Sequence, residues 1–245
     1  MPEYEVGVDE AGRGPAIGPL VVCALSVPKD DRELLSELGV DDSKRLSKKL
    51  RRSVFERVSH HSQLRGWGVG LEICDAKKID EWMASGTLNS LEVKLFCDAI
   101  KVAANPSDLG SIIVDSCDVN SERFGKGILS TLGSGWEGCR IVSGHKMDSN
   151  DVVVGAASII AKVTRDEEIE KLSKLAGLEL GSGYPSDPVT KKAIDILCSS
   201  GGPHESLRWG WANVQRSWIR HNSRPMPSRS ADSHTHTQST LEDWN

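Results

Sequence analysis

Tyr4-Glu5-Val6-Gly7-Val8-Asp9-Glu10-Ala11-Gly12-Arg13-Gly14-Pro15 decides how the rest of the chain is read. Val6 and Val8 alternate with Gly7, the period-2 pattern of a half-buried strand. Asp9 and Glu10 stand side by side where the loop begins. Successive strand side chains point to opposite faces, so only one of the two points fully into any given site. Unpaired buried charge is costly, and a divalent cation removes that cost. The Gly12-Arg13-Gly14 turn adds close backbone approach and a cation, a set suited to holding a phosphodiester. Taken alone, the segment reads equally well as an exposed loop with ordinary charges.

Later segments shift that balance. Ser111-Ile112-Ile113-Val114-Asp115-Ser116 is an apolar strand ending on an acid, and Glu137 to Ser143 is a further strand candidate. The latter leads to Gly144-His145-Lys146-Met147-Asp148 and then to a helix from about Val152, whose Gly155, Ala156, Ala157 and Ser158 suit tight packing on a sheet. Leu20 to Val27 can pair with the first strand as a meander, and Leu64 to Ile73 alternates as another strand. Asp75 to Val102 reads as helix with a break near Gly86. Four carboxylates, Asp9, Glu10, Asp115 and Asp148, therefore fall at strand ends or just before a helix. Such hard oxygen donors suit Mg²⁺ or Mn²⁺ better than zinc. Asp151 reads as a charge at a helix N-terminus, favourable there through the helix dipole.

The opening GVDEAGRGPAIGPLVV, Asp42-Ser43-Lys44, IIVDS, HKMD and GAASIIAKVTRD, in that order, resemble the type 2 ribonuclease H family (ribonuclease HII) in its archaeal and eukaryotic-like form. The resemblance covers about residues 4 to 220. It implies an α/β fold, a ribonuclease H-like mixed five-stranded sheet flanked by helices, with a small C-terminal helical subdomain. The expected division is a catalytic core over 1–170, a helical subdomain over 171–221 and a flexible tail over 222–245. It also implies an endoribonuclease that hydrolyses the RNA strand of RNA-DNA hybrids and nicks 5′ to ribonucleotides embedded in duplex DNA, leaving 3′-hydroxyl and 5′-phosphate ends. Its roles would be ribonucleotide excision and primer removal.

By the same resemblance, Asp9, Glu10, Asp115 and Asp148 are the catalytic residues and hold two Mg²⁺ or Mn²⁺ ions, with Asp9 bridging and Asp148 peripheral. The backbone of Gly12, Arg13 and Gly14 reads a ribose 2′-hydroxyl, the group that separates RNA from DNA. Tyr184, in Gly-Ser-Gly-Tyr-Pro, stacks under the neighbouring deoxyribose. Lys44, Asn89, Lys146 and Arg165 are further substrate contacts. At Asp151 the family usually has an aromatic or other residue. Gln238, Leu241 and Trp244 resemble the sliding-clamp-binding peptide of archaeal and eukaryotic replication proteins, although Asn245 stands where a second aromatic is common. A junction resolvase of related fold would need neither the Gly-Arg-Gly turn nor Tyr184, and a non-catalytic adaptor would not need all four acids.

Composition agrees with this assignment. The 245 residues are 38% hydrophobic with a net charge of −5. That charge argues mildly against nucleic acid, but distribution matters more than the total. Seven of the residues between Lys44 and Arg57 are basic and one is acidic, in a segment read as helix. No apolar run approaches a membrane span. The acidic start offers no signal peptide, and six scattered cysteines without a CxxC fit a reducing cytoplasm. The single chain with a terminal clamp peptide favours a protein that acts as a monomer. After His221 the polar composition cannot bury a core.

Overall fold

The computed structural model describes residues 3–40, 46–199 and 201–229. Lys44 and the clamp-peptide residues Gln238, Leu241 and Trp244 lie outside them. Five strands form one sheet in the order β3-β2-β1-β4-β5. These are β1 (Tyr4–Ala11), β2 (Leu20–Pro28), β3 (Gly68–Cys74), β4 (Leu109–Asp115) and β5 (Arg140–Gly144). β1 and β2 pair antiparallel, as do β2 and β3, whereas β4 lies parallel to β1 and to β5. This is the mixed five-stranded sheet expected.

The third strand begins at Gly68, not Leu64, because the basic helix before it is longer than its charge run suggests. That helix, α2 (Lys48–Arg65), is capped by the Ser47 side chain and stopped by Gly66 in the left-handed region, φ 66°. β5 likewise starts at Arg140, since Glu137 to Cys139 form the turn that precedes it. The break near Gly86 is present. α3 (Ala76–Met83) ends before it, and α4 (Leu88–Ala103) starts afresh under a Thr87–Ser90 capping box.

β2 is buried on both faces, and its side chains divide cleanly between them. Leu20, Val22 and Ala24 join Val6 and Val8 of β1 against α4 and α5 (Ser121–Leu132), where Leu95, Phe96, Ile100, Phe124 and Ile128 close the layer. Val21, Cys23, Leu25 and Val27 face the other way, onto α1 (Arg32–Glu37), α2 and α7 (Val152–Ala176). A third apolar cluster joins Ala16 and Ile17 to Ile169, α8 (Pro188–Ser199) and α9 (Ala212–Asn222), around the buried Trp218. α7 is continuous through residue 170 and ends at Gly177, so it serves both the sheet and this third cluster.

At Gly7 the backbone of α7 lies directly on β1. A Cβ there would lie 2.5 Å from the Val153 carbonyl carbon and from the Val154 nitrogen. Asp151 caps α7, its carboxylate accepting from Val153 N and Val154 N, and Arg32 Nη2 stands 2.8 Å from it. The acid read as an N-terminal charge is thus a full N-cap. Although little after His221 is apolar, the chain remains held as far as Arg229. Trp218 Nε1 donates to Pro225 O, and the Arg229 guanidinium lies 4.1 Å above the Trp209 ring and 3.2 Å from Asp80.

Backbone sits where any side chain at Gly7 would go. Gly7→Val is therefore expected to cost about 3 kcal/mol or more, read as a lowered midpoint in urea denaturation. An unchanged midpoint would mean that α7 does not lie directly on β1.

Candidate active site

Because Val6 and Val8 face α4 and α5, Gly7 and Asp9 face α7, and Glu10 returns to the α4 side. The two neighbouring acids therefore leave the sheet edge in opposite directions, as the strand period requires. Asp9 is buried and hydrogen-bonded to Ser158 of α7, with Lys162 one turn further on. Glu10 is half-buried beside Glu92 of α4 and Cys117. Its Oε2 has no hydrogen-bond partner.

The parallel β1–β4 register, ending at Val8 opposite Val114, brings Asp9 level with Asp115. The charge of Asp115 acts on both Asp9 and Glu10. Asp115 Oδ1 accepts from Met147 N at 2.8 Å, and Ser116 N donates to Gly144 O at 2.7 Å. These bonds draw the chain after β5 back to the end of β4. Lys146, in the left-handed region at φ 60°, makes the sharp entry into α6 (Met147–Asn150), which carries the buried Asp148. Lys162 Nζ reaches Ser158 Oγ at 2.7 Å and Asp148 Oδ2 at 3.8 Å. The four acids are thereby gathered at one edge of the sheet, at the carboxyl ends of β1 and β4, where α/β sheets usually carry their sites.

Burial and crowding raise the Asp9 and Glu10 carboxyls. Burial first, opposed by the Ser158 bond and by Lys162, pushes Asp9 up to about 6. Burial and then the adjacent Asp9 charge push Glu10 well above its ordinary range. Both effects disfavour the ionised form.

The Gly12-Arg13-Gly14 turn borders the same cleft, about 270 Å³ lined by Glu10, Gly12, Arg13, Lys162, Arg165 and Tyr184 among others. Gly12 has φ 94°, and a Cβ on it would strike Arg165 and the Pro19 carbonyl. The Arg13 guanidinium does not stand alone. Its Nε lies 2.8 Å from Glu92, and its Nη2 donates to Asn89 Oδ1 at 2.6 Å. Asn89 in turn donates to Asp118. What the turn offers the cleft most freely is backbone.

Tyr184 is 40% exposed and stands beside the turn, its Cε1 3.8 Å from where a Gly14 Cβ would be. Ser182 donates twice to Asp187, and Gly183 N donates to Thr190 Oγ1, so the tyrosine sits on a fixed loop. Arg165 is only 5% exposed. It donates to Ser182 O at 3.0 Å and lies 5.3 Å from the Tyr184 ring centre, in the wall beneath the turn. Lys146 is exposed. Of the basic face of α2, Lys48, Arg51 and Arg52 pair with Glu170, Asp166 and Glu167 of α7.

Sequence reading missed four residues at this edge. Lys162 follows Ser158 by one turn, a spacing that could have drawn attention once Ser158 faced Asp9. Glu92 is a fully buried acid on the apolar face of α4, a pattern that is itself a signal. Arg208 and Trp211 bond to backbone carbonyls of the turn, across almost two hundred residues. Nothing in their own sequence neighbourhood points there.

A mixed sheet of this order, with acids at its central strand ends, defines a nuclease of ribonuclease H-like fold. The chain matches the family model for Ribonuclease HII over residues 6–214. It is 39% identical over 215 residues to a ribonuclease HII of Methanococcus maripaludis strain C5, covering 84% of each chain. It is 35% identical to the crystal structure of ribonuclease H2 from Pyrococcus horikoshii OT3, with a TM-score of 0.76 over 90% of this chain and all of that one. It is 32% identical, with a TM-score of 0.73, to the ribonuclease HII of Archaeoglobus fulgidus in a structure of its complex with PCNA, covering 98% and 99% of the two chains. The chain belongs to the ribonuclease HII family. It is a type 2 ribonuclease H, an endoribonuclease acting on RNA-DNA hybrids, and enzymes of this family depend on divalent metal ions. Among the described residues, no helix is long and apolar enough to cross a membrane.

The raised Asp9 pKa has a measurable consequence. Its carboxyl binds a proton more tightly folded, at about 6, than at its ordinary 3.8. The metal-free fold should therefore lose stability as pH rises from about 4 to 6, by on the order of 3 kcal/mol from this group. Asp9→Asn should flatten that slope and stabilise the chelated protein at pH 7.5, measured by urea denaturation. An Asn variant less stable than the parent at that pH would show that Asp9 is not held at a cost.

Proposed function

We propose that the chain incises RNA-DNA hybrids, and duplex DNA 5′ to single embedded ribonucleotides, at the sheet edge formed by Asp9, Glu10, Asp115 and Asp148. Oxygen donors alone make up this set, and the unpartnered Glu10 Oε2 is suited to a hard cation. These four residues would hold two Mg²⁺ or Mn²⁺ ions, which when bound neutralise the scissile phosphate and lower the pKa of a nucleophilic water. Lys162 balances Asp9 and Asp148 and limits their mutual repulsion. The Gly12–Gly14 backbone takes the ribose 2′-hydroxyl. Tyr184, stiffened by the Asp187 bonds to Ser182 and backed by Arg165, packs against the adjacent deoxyribose. Asn89 holds the Arg13 side chain, and Lys146 and Lys44 meet backbone phosphates.

The observation that carries this reading is the adjacency of the acids to a rigid glycine turn and a fixed, exposed tyrosine. Cleavage chemistry and junction recognition then share one cleft. The helical layer after residue 170 acts as a subdomain that supplies Tyr184 to the catalytic core. The terminal Gln238, Leu241 and Trp244 dock a sliding clamp, in keeping with the A. fulgidus complex, and the protein works as a cytoplasmic monomer in ribonucleotide excision and primer removal.

A labelled duplex carrying one ribonucleotide should be cut on its 5′ side with Mg²⁺, leaving a 3′-hydroxyl. An all-DNA duplex should stay intact, and Asp115→Asn should lower the rate by roughly three orders of magnitude or more. Cutting of a long hybrid but not of this duplex would keep the nuclease and remove the junction role of the turn and Tyr184.

For the clamp, deleting residues 238–245 should abolish co-elution with an archaeal sliding clamp and leave cleavage of a short duplex unchanged. Undiminished co-elution would reject the peptide assignment.

A further inference from the structure

We infer that Arg208 is a positioning residue for ribose recognition: from the far side of the Gly12–Gly14 turn it fixes the peptide planes whose amides the substrate meets. This deepens, and rests on, the reading of the turn given above. Arg208 is fully buried. Its Nη2 donates to Gly12 O at 2.5 Å, its Nη1 to Arg13 O at 2.9 Å and its Nε to Gly18 O at 3.0 Å. Trp211, whose ring lies 5.0 Å from the guanidinium, donates its indole N–H to Gly14 O at 3.3 Å. Three successive carbonyls, those of Gly12, Arg13 and Gly14, are thus held by two side chains from the C-terminal part of the chain.

A trans peptide is planar, with its N–H directed opposite to its C=O. Binding Gly12 O therefore sets the direction of the Arg13 amide, and binding Arg13 O sets that of the Gly14 amide. Both N–H groups point away from Arg208. Neither has an acceptor among the described residues. The third plane ends at Pro15, which has no N–H, so the turn presents a pair of adjacent amides.

Only a guanidinium can supply this clamp, because its planar fork reaches three acceptors at once, whereas a lysine has one nitrogen. A buried cation is costly, and burial together with the nearby Arg165 charge lowers Arg208 to about 9. An apolar side chain would fill the same space without that cost. The anchoring is itself braced. Arg208 N donates to Ala16 O, Gly18 N to Ser206 O, and Asp80 accepts from Trp209 N and Gly210 N.

The test compares full-length parent, Arg208→Lys and Trp211→Phe on duplexes carrying one ribonucleotide or one arabinonucleotide, whose 2′-hydroxyl lies on the opposite face. Arg208→Lys should lower kcat on the ribonucleotide by about ten- to a hundredfold with little change in KM, and the ribose-over-arabinose ratio should fall. The ¹H–¹⁵N resonances of Arg13 and Gly14 should shift in the free variant. Trp211→Phe, which removes the Gly14 O bond alone and leaves both amide-bearing planes held by Arg208, should keep the ratio near that of the parent. Arg208→Gln, which loses most of the clamp, replaces Arg208→Lys if the latter does not fold, with the same fall in ratio expected. A merely structural Arg208 would lower the melting temperature and reduce both rates in proportion. An unchanged ratio with unmoved Arg13 and Gly14 resonances would overturn the assignment while leaving the nuclease intact. A parent protein that does not cut at the embedded ribonucleotide would overturn it together with the proposed function.

Discussion

The site depends on the contact between α7 and the one residue of β1 that lacks a side chain. With Val153 and Val154 lying directly on Gly7, the helix can run along the strand at backbone distance. Residues one and two turns further on then fall on the same face. Ser158 is four residues beyond Val154 and Lys162 eight, and Asp9 is two beyond Gly7 on the same side of the sheet. The close approach that buries the helix is thus what delivers a hydroxyl and an ammonium to the first carboxylate. Asp151 makes that approach possible by capping the buried helix start, where otherwise two amides would be left without acceptors.

This arrangement holds more negative charge than the protein itself neutralises. Asp9 and Glu10 are both pushed toward the neutral form, each by burial first. Close to them, Glu10, Glu92 and Cys117 converge within 4.8 Å. That second group is relieved differently, since Arg13 pairs with Glu92 from inside the turn. Lys162 therefore offsets part of the charge on the α7 side of the sheet and Arg13 part of it on the α4 side, while Glu10 Oε2 keeps no hydrogen-bond partner among the described residues. The same division explains why the Arg13 side chain is less available to the substrate than its sequence position suggests. It is the counter-ion of Glu92 on α4.

How far the sequence could be read follows from where each signal lies. The acids at strand ends were legible because a charge after an apolar run is a local anomaly. The stop of α2 was less so, because its charged residues carry no apolar period to mark an end, and Gly66 decides it. Asp151 was read correctly as a helix-end charge, since capping is a matter of a few neighbouring residues. The Arg208 clamp was invisible for the opposite reason. Its acceptors are main-chain carbonyls, which every residue has, and no residue type at positions 12 to 18 announces a partner near 208. Arg165 was misleading in a related way. A basic residue on a helix beside clustered acids suggests phosphate, but this one is buried under Gly12 and bonded to Ser182 O.

These long-range bonds make the shape of the turn depend on the far end of the chain. The carboxylates are placed by β1, β4 and α7, contacts internal to the sheet and its helices. The turn that borders them is finished only when the segment from His204 to Trp211 docks on Ala16 to Gly18 and Arg208 enters. Such pairings across almost the whole chain carry a loop-closure cost. A protein in which the sheet is complete but the C-terminal layer is loose would still gather its acids, yet its turn would be free to rotate its amides. If the turn reads ribose as proposed, that discrimination would then fail before the carboxylate cluster does, because the two are held by different parts of the fold.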